Sequence, residues 1–311
     1  MTAVALRQLL PDCQVPALAV TGLAEDSRFV EPGDAFVAVR GATSDGHLHI
    51  DEAVANGAVA VLCEKAGMQA RVPVIVVPAL KSRRGQIARQ LYRDPSADLC
   101  CFGVTGTNGK TSIAHFIAQL GDALGQPCGY LGTIGWGRLA NLQSARLTTV
   151  DAITLQKRLR ELADAGSRWA ALEVSSHALE QNRVDEIGFD VAVFSNLSRD
   201  HLDYHGSLEA YGAAKARLFA FDGLSCAVLN ADEEFSQQLA KVVGAGVEVV
   251  TYGRAGDVRW SELRFAATGL RGRWQSPWGD ADLDLALAGE FSVANMAAAL
   301  AAVCSLGPVS Y

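Results

Sequence analysis

The stretch VTGTNGKTS, residues 104 to 112, limits what this chain can fold into more than any other. It follows a run that reads as a buried strand, LCCFGVTG from Leu99. It precedes an amphipathic helix carrying Ile113, Phe116, Ile117, Leu120 and Leu124 on one face. The usual phosphate loop has a glycine five residues before its Gly-Lys pair, and Val104 stands at that place here. The remaining pieces are present. Gly106 and Gly109 let the backbone turn tightly and bring its N–H groups toward an anion, and Lys110 adds a point charge. Thr111 opens the helix where the dipole favours negative charge. The Thr111 hydroxyl is also suited to ligate a magnesium ion that bridges nucleotide phosphates. A purely structural glycine turn is the alternative, and the setting between strand and helix favours phosphate binding over it.

Around this motif the chain alternates strand-like and helix-like segments. Residues 1 to about 95 carry short β-like runs (FVAV at 36–39, VAVLC at 59–63, VIVV at 74–77) between helical stretches such as HIDEAVANG, a small α/β unit. The polar, proline-containing YRDPSAD at 92–98 is the best candidate boundary. From residue 96 onward WAALEV, VAVFSNL, CAVLN and VEVVTYG alternate with helices such as AITLQKRLRELADAG, which implies a mostly parallel sheet covered on both faces. After about residue 254, RWSELRFAATGLRGRWQSPWG and DLDLALAG read as an antiparallel meander, and a last helix, FSVANMAAALAAVCSLG, is followed by PVSY. The expectation is two domains, 1–95 and 96–311.

Composition excludes several partner classes. With 311 residues and half of them apolar, the chain can bury two cores. A formal charge of -7 without a basic stripe argues against nucleic-acid binding. The amino terminus has too short an apolar core and too early a proline for a signal peptide, and no apolar run approaches the roughly 18 residues of a membrane span. Seven cysteines without a C-x-x-C pair suggest neither a disulfide framework nor a zinc site, and point to a reducing cytoplasm.

A phosphate cradle needs oxygen ligands for its magnesium, and in parallel sheets these come from strand C-terminal ends. WAALEVSSHAL supplies Glu173 with Ser175, Ser176 and His177. VAVFSNLSRDHLDYHG supplies Asp200, His201, Asp203 and His205. Glu173 has two readings, a magnesium ligand or a buried carboxylate paired with an arginine. In either case a cation partner is expected. The histidines are equally open to a site role or to solvation. Lys215 in YGAAKARLFAF reads on its own as a solvated lysine on a helix surface.

TGTNGKT, EVSSHAL, SNLSRDHLDYHG and AKARLF, in that order and spacing, resemble the Mur ligases, ATP-dependent enzymes that extend the peptide of the bacterial cell-wall precursor. DSRFVEPGDAFVAVRGATSDGHLHIDEAVANGAVAVLCE resembles their amino-terminal domain. SRDHLDYHG with TTVDAITLQ is most similar to the branch that adds the third amino acid. The resemblance implies that Gly106, Thr107, Asn108, Gly109, Lys110, Thr111 and Ser112 hold ATP phosphates, with Asn295 near the adenine. It implies that Thr111, Glu173, His201 and Lys215 serve Mg2+, with Lys215 as a carbamate, since an anionic carbamate can ligate a metal that repels an ammonium. Lys110, Lys215, Glu173 and His201 would form the catalytic set. Ser27, Thr148, Thr149, Ser175, Gln181 and Arg183 match the UDP-sugar positions, and the Arg183 fork suits phosphate or carboxylate oxygens.

The implied reaction joins a diamino acid, meso-diaminopimelate or L-lysine, to UDP-MurNAc-L-Ala-D-Glu through an acyl phosphate. The chain departs from the family pattern at Leu147, commonly asparagine, and at Ser292, where relatives write G-x-F-N. Family members continue into a further α/β domain that takes the amino acid, so the resemblance implies a fragment that binds but does not ligate. Another Mur or folylpolyglutamate-type ligase, and a non-catalytic nucleotide-binding module, are the competing readings.

Overall fold

The computed structural model describes residues 2–41, 44–145 and 147–307; the final PVSY lies outside the described residues. The chain divides into two compact units. One is Met1–Pro95 with Asp151–Arg160 and Val184–Glu186, and the other is Ser96–Val150 with Glu161–Arg183 and Ile187–Tyr311.

The first unit is built on a four-stranded parallel sheet, in the order Gly22–Ala24, Asp34–Ala38, Ala60–Cys63 and Val74–Val76. Its strands are short, and Asp34–Ala38 and Ala60–Cys63 are buried along their whole length, as parallel strands covered on both faces must be. Helix Leu80–Leu91 turns Leu80, Ile87 and Leu91 into one core with Leu23, Val37, Leu62 and Ile75. Ile153, from the segment that joins this unit late in sequence, packs into the same core. Phe36, Ala38, Val61 and Cys63 close the other face together with Ile50 and Ala53 of helix Ile50–Ala55.

The second unit carries an eight-stranded mixed sheet. Across the sheet the order is Asn141–Gln143, Gly135–Arg138, Cys128–Gly132, Trp169–Glu173, Cys100–Thr105, Val191–Phe194, Cys226–Asn230 and Glu248–Tyr252. The last six of these are parallel to one another, and the first two fold back as antiparallel hairpins. Those hairpins are absent from the sequence reading. Their strand GWGR has glycines at positive φ, 148° at Gly135 and 125° at Gly137, where a strand is normally announced by branched residues. Helices Lys110–Ala123 and Glu290–Cys304 pack on each other over the sheet. The second is buried through Val293, Ala297, Ala298, Ala301 and Ala302, whose small side chains permit close approach. A separate three-stranded antiparallel sheet, Arg259–Ala266, Gly269–Gln275 and Ala281–Leu285, is the meander read from the sequence.

The chain path fixes where a ligand can sit. From Cys100–Thr105 the chain crosses to Cys128–Gly132 two places away, returns to fill the gap with Trp169–Glu173, and then moves to the opposite side with Val191–Phe194. The carboxyl end of Cys100–Thr105 is therefore the topological switch point, where parallel α/β sheets open a crevice.

Candidate active site

The motif loop occupies that switch point. Gly106 has φ 142° and Gly109 φ 87°, a region that side-chain-bearing residues avoid. A Cβ on Gly106 would overlap Ser195 Oγ, and one on Gly109 would lie 2.6 Å from Asn295 Oδ1. Both glycines are thus required by close neighbours as well as by torsion. Helix Lys110–Ala123 starts without a side-chain cap, and its first closed bond is Ile113 N–H to Gly109 O at 2.9 Å. The first helix amides, those of Lys110, Thr111 and Ser112, have no acceptor among the described residues and are open to an outside one.

The neighbouring strand end holds the loop from one side. Thr107 N–H donates to Asn196 O at 2.8 Å, and Asn108 N–H donates to Asn196 Oδ1 at 3.0 Å. Asn196 Nδ2 returns a bond to Asn108 O at 3.1 Å, and Ser195 Oγ lies 2.5 Å from the same carbonyl. Ser198 N–H donates to Thr107 Oγ1 at 3.0 Å, and Asn230 Nδ2 anchors Ser195 O at 2.7 Å. SNLS therefore works as a brace for the loop. From the sequence, chemistry is instead expected of Asp200, His201, Asp203 and His205, which follow it.

Two lysines converge on the loop. Lys110 Nζ donates to Gly106 O and Thr107 O, both at 2.9 Å. Lys215 Nζ donates to Gly106 O at 2.8 Å and stands 4.1 Å from the centre of the Tyr211 ring. Lys215 is 1% exposed, so the reading of a solvated helix lysine is corrected: its helix packs that face inward. Burial first, and the charge of Lys110 second, push the Lys215 amine down to about 6, leaving it neutral at pH 7. Burial also lowers Lys110, against which the carboxylates of Glu173 and Asp200 act.

On the other side of the loop, Glu173 ends its strand opposite Val104 and is 1% exposed. Its oxygens are met by hydroxyls and an amide rather than by an arginine. Thr111 Oγ1 donates to Oε2 at 2.9 Å and Thr133 Oγ1 to Oε2 at 3.1 Å; Thr133 N–H donates to Oε1 at 2.8 Å, and the Tyr130 hydroxyl donates to Oε1. No described contact pairs Glu173 with a cationic side chain; the hydroxyls and the amide take that place. Tyr130 and Thr133 were not singled out in the sequence, where GYLGTIG offers glycines but no polar cluster.

His201 caps the short helix Leu202–His205 from a left-handed conformation, φ 51°, and its side chain is half-exposed. Its ring centre is 4.9 Å from that of His177 and 6.1 Å from that of Tyr211, the ring beneath Lys215. His205 is buried behind it, its Nδ1 3.0 Å from Glu180 Oε2 and its Nε2 3.0 Å from Ser176 Oγ. Burial lowers the His205 pKa despite Glu180, so at pH 7 the neutral ring donates from Nδ1 to the carboxylate and accepts at Nε2.

The substrate-matching residues of this unit form their own network. Thr149 Oγ1 donates to Glu173 O at 2.8 Å and accepts from Ser175 N–H at 3.1 Å. Arg183 Nη1 donates to Thr149 O at 2.7 Å, and its Nε and Nη2 reach Gln181 Oε1 at 3.1 and 2.5 Å. Ser175 caps helix Ser176–Glu180, Thr148 Oγ1 is 3.0 Å from Thr133 Oγ1, and Gln181 Nε2 donates to Tyr204 at 3.1 Å. Leu147 is 53% exposed. Ser292 bonds Ala288 O at 2.7 Å within the first turn of the last helix, and Ser112 sits half-buried in the first turn after the loop. In the first unit, Ser27 Oγ donates to Glu52 Oε2 at 2.6 Å in a cleft of ≈ 610 Å³ that Asp26, Arg28 and His49 also line.

The donor set suits a hard divalent cation. It offers a carboxylate and hydroxyls beside the glycine loop, oxygen donors of the kind that magnesium takes. No described helix is long and apolar enough to cross a membrane.

A glycine loop at the switch point of a parallel sheet, braced by the next strand, is the arrangement by which doubly wound α/β proteins seat a ligand. The chain belongs to the Mur ligase family: residues 104–303 match the Mur ligase middle domain, and residues 19–92 match the Mur ligase family catalytic domain. It is 44% identical to the UDP-N-acetylmuramoyl-L-alanyl-D-glutamate–2,6-diaminopimelate ligase of Pseudomonas aeruginosa, covering 97% of this chain and 63% of that protein. A solved structure bearing the same ligase name superposes with a TM-score of 0.84 at 37% identity, over 99% of this chain and 65% of that one. MurF of Thermotoga maritima, solved in complex with ADP, shares the fold, with a TM-score of 0.68 at 22% identity over 93% of this chain and 64% of its own. The chain spans less than two thirds of the length of each.

Proposed function

We propose that these two units belong to an ATP-dependent ligase of cell-wall precursor synthesis in the cytoplasm, one that joins 2,6-diaminopimelate to UDP-MurNAc-L-Ala-D-Glu. The observation that carries this reading is the loop at the switch point, with Glu173 on one side and Lys215 on the other, in a chain 44% identical to a ligase of that name. The other Mur and folylpolyglutamate ligases are disfavoured because their solved structures, at 19–23% identity, share only the fold.

In this reading the loop amides and Lys110 take the ATP phosphates, with Asn295 at the loop's outer edge near the base. The terminal carboxylate of the dipeptide attacks the γ-phosphorus and ADP leaves, giving an acyl phosphate. The amine of the diamino acid then attacks the acyl carbon, loses a proton and expels phosphate. Thr111, Glu173, His201 and Lys215 would hold Mg2+, which supplies charge neutralisation at the phosphates when bound. Lys215 is chemically prepared for this. A neutral, buried amine is the form that adds CO2, and the product is an anionic ligand. The UDP-sugar contacts that the motif resemblance implies fall on Ser27 in the first unit and on Thr148, Thr149, Ser175, Gln181 and Arg183 in the second.

Calorimetric titration with UDP-MurNAc-L-Ala-D-Glu and with UDP-MurNAc-L-Ala tests the substrate. The dipeptide form is expected to bind at least about tenfold more tightly, since a charged hydrogen bond contributes roughly 1.5–3 kcal/mol. No heat with the dipeptide form, from folded protein, would sink the assignment.

A further inference from the structure

Glu173 is held asymmetrically. Oε1 accepts from the Tyr130 hydroxyl and the Thr133 backbone amide, one fixed by a buried ring and the other by the main chain. Among the described residues Oε2 accepts from the hydroxyls of Thr111 and Thr133, which turn about a single bond and can redirect their protons. The first pair is rigid and the second is exchangeable.

The surroundings of Oε1 are built for this contact. Tyr130 is 0% exposed in the strand Cys128–Gly132, next to Glu173's own strand, so its phenol cannot swing away. Gly132 lies beneath both groups, and a Cβ there would overlap Glu173 Oε1 and the Tyr130 oxygen together. A buried phenol and a buried carboxylate each need a partner, and each satisfies the other here.

We propose that Tyr130 is a positioning residue for the nucleotide's metal ion: with the Thr133 amide it locks Oε1 of Glu173 and so turns Oε2 toward the cation. This rests on the reading of Glu173 as a metal-facing carboxylate. A donor that holds the far oxygen of a ligating carboxylate sets the direction of the near one without touching the metal, and its loss typically weakens metal binding by about 10–100-fold.

The test is Mn2+ binding followed by electron paramagnetic resonance with ADP present, beside ADP affinity in EDTA. Tyr130→Phe keeps the ring in the core and is expected to weaken Mn2+ by about tenfold. ADP affinity without metal should stay unchanged, a split that a loss of general packing would not produce. Glu173→Gln is the control. If Glu173→Gln weakens Mn2+ and Tyr130→Phe does not, the positioning role is overturned. If neither does, the metal-facing reading of Glu173 falls and the proposal with it. A second measurement needs no destabilising variant: 3-fluorotyrosine at position 130 should shift its 19F resonance when Mg2+ is added to the ADP complex. A resonance that stays in place would also overturn the proposal.

Discussion

The switch-point loop and the three-stranded sheet of residues 259–285 treat charge in opposite ways. In the sheet, Arg271 pairs with Asp284 at 3.3 Å while both side chains stay about 70% exposed, 72% and 70%, and Arg273 meets Asp280 at 3.8 Å on the same surface. Around the loop, a lysine and a carboxylate are each 1% exposed, and the hydrogen bonds described for them reach segments distant in sequence. Solvated pairs are worth little and tolerate loss. Buried ionisable groups persist only where neighbours are arranged for them, so the loop region spends stability on a geometry that the sheet does without.

Four substitutions probe that contrast. The largest effect is expected from Lys110→Ala, which should cut ADP affinity by about 100-fold, roughly 3 kcal/mol, by removing a charged donor to phosphate. Circular dichroism should report an intact fold, and undiminished affinity by calorimetry would break the reading of the loop. Next is Lys215→Met. The Lys215 amine lies below its ordinary 10.5, at about 6, so the unfolded chain binds the extra proton between those values and wild-type stability rises with pH across that window. In CO2-free buffer, wild type should gain up to about 2.7 kcal/mol on the variant between pH 7 and 9, at 1.36 kcal/mol per unit. Denaturant melts with parallel pH profiles would refute it.

Ser195→Ala removes the hydroxyl that braces Asn108 O and is expected to cost about 1 kcal/mol, in melting and in ADP binding alike. Smallest is Arg271→Ala in the exposed sheet, at no more than about 0.5 kcal/mol in thermal melting and nothing in ligand binding. A larger loss there would erase the contrast between the two regions.

The same contrast separates what the sequence made legible from what it did not. Strand, glycine turn and amphipathic helix are local patterns, and LCCFGVTGTNGKTS carries all three within one stretch. The alternating, charged strands of the meander are local as well. Lys215 was misread because its burial depends on Gly106, 109 residues away, while its own helix has no marked amphipathic pattern to signal an inward face. The Tyr130–Glu173 contact spans 43 residues and joins strands neighbouring only through a crossover. The gathering of residues 151–160 and 184–186 into the first unit likewise follows from packing, such as Ile153 in its core and Lys157 on Glu31 at 2.8 Å. Motif resemblance drew attention to Lys215 where periodicity could not, but it gave no signal for Tyr130, Thr133 or the Ser195–Asn196 brace.

Lys110 is engaged within its own loop: its two hydrogen bonds among the described residues end on the loop's carbonyls, one of them shared with Lys215. An incoming phosphate must exchange those contacts rather than fill a vacancy. Measured affinity then reports the difference between two complete hydrogen-bond sets, so substitutions that weaken the internal set can tighten nucleotide binding without adding a single contact to it.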